Sequence, residues 1–403
     1  AGGSPQRGPN MRWYYLAQAL QEHDVKVDVA AASYFHKYVS PPTVVRAIEE
    51  HLIDGVRYFW VKTPSYKGRG VAQVLNQVLF SINAYRLPLR KNLKGTTVVV
   101  ASSPHPFVIH PAIRIARTLG ASLVFESRDL WPKVLIDLGA MTERHPYAIA
   151  LRQAESRAVR RSDAIITVKE DESAYYEHKY GVDPNSVWYV PNGFYPSDTL
   201  EPVPSELNQL RKKYQFLVGY TGAISAYYNL RRLLKVAEQF NEDSKVGFAI
   251  IGSGAQVDSL RAEAKERGMS HVHFLGAMTK PATQSALSAF DACYVSLADI
   301  DAHRYGVSAN KIYEYMHARC PILAHISTPY NPISRSGCGF VAANGDPHPL
   351  VEGIRQLRNN DNLAARMGQR GRSYFDAHHD FGAVATRVMD LLDALSNPQK
   401  RVR

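Results

Sequence analysis

Apolar positions along the chain fall into two alternating rhythms. Short continuous apolar runs, bounded by glycine, proline or serine, occur at 97–101, 122–126, 164–168, 216–220, 247–251 and 292–297. Runs of that length and setting predict strands buried on both faces. Further runs at 25–31, 56–62, 187–190, 272–275, 321–325 and 339–341 extend the series. Between them the spacing changes to three and four residues. It predicts helices at 11–22, with Trp13, Leu16, Ala17 and Leu20 on one face, and at 71–85, with Leu75, Val78, Leu79 and Ile82 turned inward. Further helices are expected at 112–119, 147–161, 171–180, 230–240, 256–267, 281–289, 349–358, 363–377 and 381–395.

Strands alternating with helices argue for parallel sheets covered on both faces. The chemistry of such sheets sits on loops beyond the strand C-termini, here at 102–106 and 127–132. Residues 196–215, rich in proline and charge, read as a link, so two domains are expected. The chain opens on a glycine- and proline-rich loop followed by helix and strand, the second half of a βαβ unit. A strand ahead of residue 1 is therefore expected.

The stretch GVSANKIYEYM (306–316) carries the most chemistry. A glycine-led loop with Ser308 and Asn310 runs into an apolar helix pattern. A helix start offers backbone N–H groups and a positive dipole end to an anion such as a diphosphate, and Lys311 adds a donor. Glu314, one turn on, suits two vicinal hydroxyls. The stretch reads as a sugar-nucleotide clamp or as an ordinary capped helix with a solvated lysine. Gly252-Ser253-Gly254 is not a dinucleotide fingerprint, since its third position is Val257. Its expected role is a tight turn beside a nucleotide.

Composition changes this picture in two places. Hydrophobic content of 45% and charged content of 21% over 403 residues fit a soluble protein with two cores. The charge-free run at 95–113 has the length of a membrane span, but its serines, His105 and prolines break it into strand, loop and helix start. Three cysteines, Cys293, Cys320 and Cys338, without CxxC spacing argue for reduced thiols and against zinc. The net charge of +11 comes without a nucleic-acid module, so no nucleic-acid partner is expected. Basic clusters at 66–69, 86–94 and 400–403 read as an anionic membrane surface contact or as solvated faces.

Five segments carry a family resemblance. Tyr189-Val190-Pro191-Asn192-Gly193 resembles the "IPNG" signature of glycosyltransferase family 4. Residues 250–254 (IIGSG) resemble its "IIGxG" turn, 272–276 (VHFLG) its "VxFLG" strand, and 310–316 a "NKxxEYM" helix opening. FESRDLWP at 125–132 looks like the "RDLWP" segment of the branch that builds bacterial surface polysaccharides. The segments occur in family order over nearly the whole chain.

The resemblance implies an α/β GT-B fold: two doubly wound Rossmann-like domains with a cleft between them and a C-terminal helix crossing back to the first. It places an acceptor-side domain at 1–197, a nucleotide-sugar domain at 198–376 and the returning helix with a basic tail at 377–403. It implies retaining, metal-independent transfer of a sugar from a UDP- or GDP-sugar to an acceptor hydroxyl, with no cofactor. The acceptor is expected to be a glycan or lipid-linked glycan, and the location the cytoplasmic face of the cell membrane.

Carried onto this sequence, the donor would meet Ser308, Asn310, Glu314, Gly222, Gly252, Gly254 and Asn192. Lys311 would hold the diphosphate and His105 would stand near the donor sugar, or be a plain loop histidine. Gly2 and Gly3 would let the backbone approach acceptor or phosphate. Arg128 and Asp129 would line the acceptor side, or form a structural ion pair.

Two departures stand out. The family's acidic pair has glutamates eight positions apart; Glu314 matches the second, but Gly306 occupies the first. Asp299 or Asp301 could take over that contact. The usual Arg and Lys after the first strand of the second domain are absent at 222–225 (GAIS), which makes Lys311 the leading candidate for the diphosphate cation. A nucleotide-sugar epimerase and a non-catalytic nucleotide-sugar or membrane-surface binding protein are the competing expectations.

Overall fold

A computed structural model describes the chain apart from residues 1, 9, 69, 90, 104, 198, 344 and 397–403, and apart from the side chains of residues 89 and 91. Arg69, Arg90, the side chain of Lys91 and the basic tail at 400–403 therefore lie outside the described residues. The chain divides into two units, and the boundaries differ from those expected. One holds the residues up to Asn192 together with those from Phe381 onward; the other is Gly193–Asp380. The segment at 196–215 is not a bare link, because Ser205–Lys213 forms a helix of the second unit that buries Leu207.

The first unit runs α1 (Arg12–Gln21), β1 (Asp28–Ala32), β2 (Ile48–Ile53), β3 (Val56–Val61), α2 (Val71–Ala84), β4 (Val98–Ser102), α3 (Ile109–Leu119), β5 (Ser122–Ser127), α4 (Lys133–Asp137), α5 (Pro146–Arg161), β6 (Ala164–Thr167), α6 (Glu172–Tyr180) and β7 (Val187–Tyr189). Its strands form two sheets, β1-β3-β2 and β4-β5-β6-β7, instead of one. β1 pairs with β3 and β4 with β5, each on one side, and no ladder joins β1 to β4. Residues 2–8, the described part of the opening glycine–proline segment, form no strand that pairs with either. β2 was not expected: IEEHLI mixes charge into the run and sits antiparallel at the edge of its sheet.

α2 reverses expectation. Asn76, Gln77, Phe80, Ser81 and Ala84 are buried, while Val71, Leu75, Val78 and Ile82 are exposed. Its inward polar groups are satisfied by the body of the unit. Asn76 Nδ2 donates to Pro64 O at 2.8 Å, Tyr147 Oη donates to Gln77 Oε1 at 2.7 Å, and Asn83 Nδ2 donates to Lys62 O at 2.9 Å. Helical spacing reveals that a stripe exists; these hydrogen bonds decide which face is buried.

The second unit continues with α7 (Ser205–Lys213), β8 (Phe216–Thr221), α8 (Arg231–Glu238), β9 (Val246–Ile251), α9 (Val257–Glu266), β10 (Val272–Gly276), α10 (Lys280–Ala286), β11 (Ala292–Ser296), α11 (Asn310–His317), β12 (Ile322–His325), α12 (Pro332–Ser336), β13 (Gly339–Ala342), α13 (His348–Arg358) and α14 (Asp361–His378). Its sheet has the order β10-β9-β8-β11-β12-β13, parallel throughout. β8 and β9 are buried along their whole length, as strands with helices on both faces must be. The order turns between β8 and β11, and ligands of such sheets bind beyond the strand C-termini at that switch point.

α15 (Phe381–Ser396) returns to the first unit. Its Val384, Ala385, Val388 and Leu391 pack with Leu16 and Leu20 of α1 and with Val124 and Ile166 of the sheet. Each buried valine, leucine or isoleucine among them stabilises by about 1.5–3 kcal/mol. The expected returning helix is there, starting at Phe381.

Candidate active site

The end of β8 and the start of α11 meet at the switch point. Tyr315 Oη accepts from Thr221 N at 3.0 Å, which fixes α11 against the strand end. One turn earlier, Lys311 points at the same strand: Nζ donates to Tyr220 Oη at 2.6 Å. The amine also lies 3.9 Å from the Tyr220 ring centroid and 3.7 Å from that of Tyr228, an aromatic cage for a cation. Lys311 is only 7% exposed, which removes the solvated-lysine alternative. Burial pulls its pKa down to about 7, with Glu314 opposing the shift. A buried amine whose partners are a phenol and two ring faces is poised for an anion.

Gly222 borders this amine. A Cβ there would stand 3.1 Å from Lys311 Nζ, so the glycine keeps the approach to the cation open. Gly252 and Gly254 have a different reason to be glycines. Gly222 N donates to Ile251 O and Ile224 N to Ser253 O, both at 2.9 Å, which draws the two strand-end loops together. A Cβ on Gly252 would fall 1.8 Å from Gly222 O, and one on Gly254 2.0 Å from Ile224 O. Close backbone packing therefore demands both, and it shapes the loop beside Lys311.

Glu314 lies on the same helix, half-buried. Among the described residues its carboxylate has no hydrogen-bond or ion-pair partner. Burial pushes its pKa up, and the charges of Lys280 and Lys311 oppose that. Two unengaged carboxylate oxygens can accept from a pair of hydroxyls. Asn310 is exposed at the helix start, and Ser308 Oγ lies 3.2 Å from Tyr313 Oη. Ala309 at the N-cap contributes no side-chain cap to the first-turn amides.

Neither candidate for the missing acid is placed simply. Asp299 is engaged by Arg232 and by Ser327 Oγ, the latter at 2.6 Å. Asp301 is exposed beside Arg304, at 3.3 Å. Gly306 follows the 301–305 turn with φ +112°, a conformation that strains any side chain, so an acid at that position would need another backbone.

The remaining expected residues sit in the first unit. Asn192 is 9% exposed, its Oδ1 3.5 Å from Arg12 Nη1. Asn192 belongs to the first unit. Gly2 and Gly3 give their carbonyls to Tyr38 Oη at 3.0 Å and Tyr58 Oη at 2.9 Å. A Cβ on Gly2 would press on Val29 and Ala31 at 3.0–3.1 Å, so close packing on β1 accounts for that glycine without a ligand. Among the described residues His105 Nδ1 is buried without a hydrogen bond, and burial pulls the ring's pKa down to about 3, so it is neutral near pH 7.

Arg128 and Asp129 lie beyond the C-terminal end of β5 and do not form an ion pair with each other among the described residues. Burial raises the Asp129 pKa, with Lys169 and Arg128 opposing. Lys169 lies 3.8 Å from the wholly buried Glu172, whose pKa burial pushes up to about 8.

Sequence reasoning missed Arg12 and Glu126. Arg12 Nε bonds Glu126 Oε1 at 2.8 Å, and its Nη atoms donate to Val190 O at 2.8 Å and Pro191 O at 2.5 Å. Trp13 Nε1 and Ser102 Oγ both donate to Glu126 Oε2. Burial alone would raise Glu126, but Arg12 and Arg128 outweigh it and hold the carboxyl below its usual range. An arginine inside a predicted apolar helix face was the available signal. Tyr220 and Tyr228 were missed because an aromatic near a strand end reads as core.

Residues 7–193 match the sequence model of the glycosyl transferase 4-like domain, and residues 205–374 that of the glycosyl transferases group 1. The chain belongs to glycosyltransferase family 4. As a glycosyltransferase it is 26% identical over 299 residues to the probable glycosyltransferase WbjE of Pseudomonas aeruginosa, covering 72% of each chain. It is 28% identical over 186 residues to the O-antigen chain mannosyltransferase C of Escherichia coli, 44% of this chain and 47% of that one. Among solved structures, this family 4 enzyme is similar to the sucrose-phosphate synthase (tll1590) of Thermosynechococcus elongatus, with TM-score 0.69 and 15% identity over 98% of this chain and 94% of that one. WaaG, a glycosyltransferase involved in lipopolysaccharide biosynthesis, gives TM-score 0.62 and 15% identity over 96% of both chains. Likenesses at that identity speak for the GT-B fold. Among the described residues of the family 4 enzyme, no helix is long and apolar enough to cross a membrane, and no group of His, Cys, Asp or Glu could hold a metal ion.

Proposed function

We propose that this glycosyltransferase moves a sugar from a UDP- or GDP-sugar to a hydroxyl of a lipid-linked glycan in surface-polysaccharide synthesis, with retention of configuration and without a metal. The observation that carries the proposal is the caged amine of Lys311 beside Gly222, with the unengaged carboxylate of Glu314 one turn on. Lys311 meets the donor diphosphate, and Glu314 accepts from the ribose hydroxyls.

As the glycosidic bond breaks, negative charge grows on the departing phosphate. A preorganised cation there lowers the barrier, and removing one such donor costs roughly 3–4 kcal/mol. The acceptor proton passes to that phosphate on the same face, so no protein nucleophile is needed. His105, neutral at working pH, can exchange a hydrogen bond near the sugar without carrying charge. Arg128 and Asp129 lie on the acceptor side. The likeness to the O-antigen chain mannosyltransferase C of Escherichia coli favours a polysaccharide acceptor over a small one.

The test incubates the protein with a panel of UDP- and GDP-sugars, a lipid-linked acceptor extract and a chelator, and follows the anomeric signal of the product by NMR. Transfer with retention in the presence of chelator supports the proposal. An epimerised donor, or binding without turnover, replaces it with one of the two competing functions, and loss of activity on chelation removes metal independence.

A further inference from the structure

The outward face of α2 is apolar along its length. Val71 is 86% exposed, Leu75 50%, Val78 39% and Ile82 52%, with Tyr85 just beyond the helix at 39%. The steps of four, three and four residues place the four aliphatic side chains in one stripe. No charge lies on this helix, and its buried polar residues Asn76, Gln77 and Ser81 are hydrogen-bonded to the body of the unit, through Pro64 O, Tyr147 Oη and Phe107 O respectively. The stripe is therefore held outward by the fold and cannot roll inward without breaking those bonds. An exposed row of this kind marks an interaction surface.

Charge says what it meets. From residue 55 to residue 125 the sequence has ten Lys or Arg and no Asp or Glu. Lys67 and Arg86, both exposed, lie just before and just after α2, and Lys94 is exposed further on. An apolar stripe with cations at both ends and no nearby carboxylate in sequence matches an anionic bilayer, whose acyl boundary takes the stripe and whose headgroups take the cations. We propose that α2 lies flat on an anionic membrane with Val71, Leu75, Val78 and Ile82 inserted and with Lys67 and Arg86 on the headgroups. This surface is separate from the donor residues of the second unit and stands whether or not their assignment holds.

The test is co-sedimentation of the full chain with vesicles of phosphatidylcholine alone or with about a third phosphatidylglycerol, together with an environment-sensitive dye on Val78→Cys. Expected are binding to the anionic vesicles only and a blue shift of the dye on binding. Leu75→Glu with Ile82→Glu should reduce binding about tenfold or more at any salt concentration. Lys67→Glu with Arg86→Glu should reduce it most at low salt. Circular dichroism verifies that the variants fold, and soluble-donor hydrolysis that their donor sites work. Equal binding to both vesicle types, or binding without a dye shift, overturns the proposal. So does a dimer in solution that Leu75→Glu with Ile82→Glu dissociates, since a second copy would then cover the stripe.

Discussion

Lys311 should make nucleotide binding depend on pH in a range where few other groups titrate. Its free amine has a pKa of about 7, far below the ordinary lysine value of 10.5. A diphosphate beside it favours the charged form and raises the pKa in the complex. Affinity from this source is then fully present below about pH 7 and is lost as pH rises from there toward 10.5. With the bound amine back at its ordinary value, nucleoside diphosphate affinity should fall about fiftyfold between pH 7 and pH 9. Binding should take up about half a proton at pH 7 and about 0.9 at pH 8. Titration calorimetry in two buffers of different protonation enthalpy reads this number directly. The histidines of the second unit with shifted pKa values, His271, His273, His317 and His325, are all pushed down and stay silent in this window. Lys311→Met should abolish the uptake and flatten the profile. By relieving a buried charge it should also stabilise the free protein, by roughly 2–4 kcal/mol at neutral pH, while turnover collapses. A wild-type protein that binds nucleotide with no proton uptake at pH 8 would refute the assignment of Lys311 to the diphosphate.

Glu314→Gln should weaken donor and free nucleotide alike, by at least about tenfold for loss of a charge-assisted hydrogen bond, with the fold intact; equal affinities by calorimetry would exclude the ribose contact. Gly252→Ala places a methyl 1.8 Å from Gly222 O, so the 222–224 loop must move. Its thermal midpoint should drop by the equivalent of about 2 kcal/mol or more, and nucleotide binding should go with it. Gly268→Ala, with φ +68° and nothing within 4 Å, should show only the backbone penalty of about 1 kcal/mol. Arg12→Met leaves Glu126 buried without its main cation and should cost about 3–5 kcal/mol in denaturant unfolding. The wild-type pair adds stability above the usual carboxylate range that is lost as pH falls through the lowered pKa of Glu126. A variant that unfolds at the same acid pH as wild type would show the pair to be dispensable.

The βα alternation was legible because buried parallel strands leave runs such as VGFAII with nothing polar in them. β2 was not, since an edge strand tolerates IEEHLI. The face of α2 was misjudged for a related reason: spacing gives the direction of a stripe around a helix, but the side that binds the protein is decided by partners far away in sequence. Tyr147 with Gln77 and Tyr34 with Asn76 are such partners. At the candidate site, Lys311 and Glu314 stood out because charge in an apolar helix pattern is conspicuous. Their surroundings did not. The tyrosine cage depends on a strand ninety residues earlier, and Gly252 and Gly254 owe their place to a neighbouring loop's carbonyls.

The return of α15 to the first unit has a consequence for how the protein is made. The chain enters the second unit at Gly193 and leaves it at Asp380, so that unit is continuous and the first is interrupted. Leu16, Leu20, Val124 and Ile166 have no α15 to pack against until residues 381–396 have been synthesised. On the ribosome the part begun first is thus the part completed last, and a chain stopped at Asp380 would carry a finished second unit beside an open apolar seam.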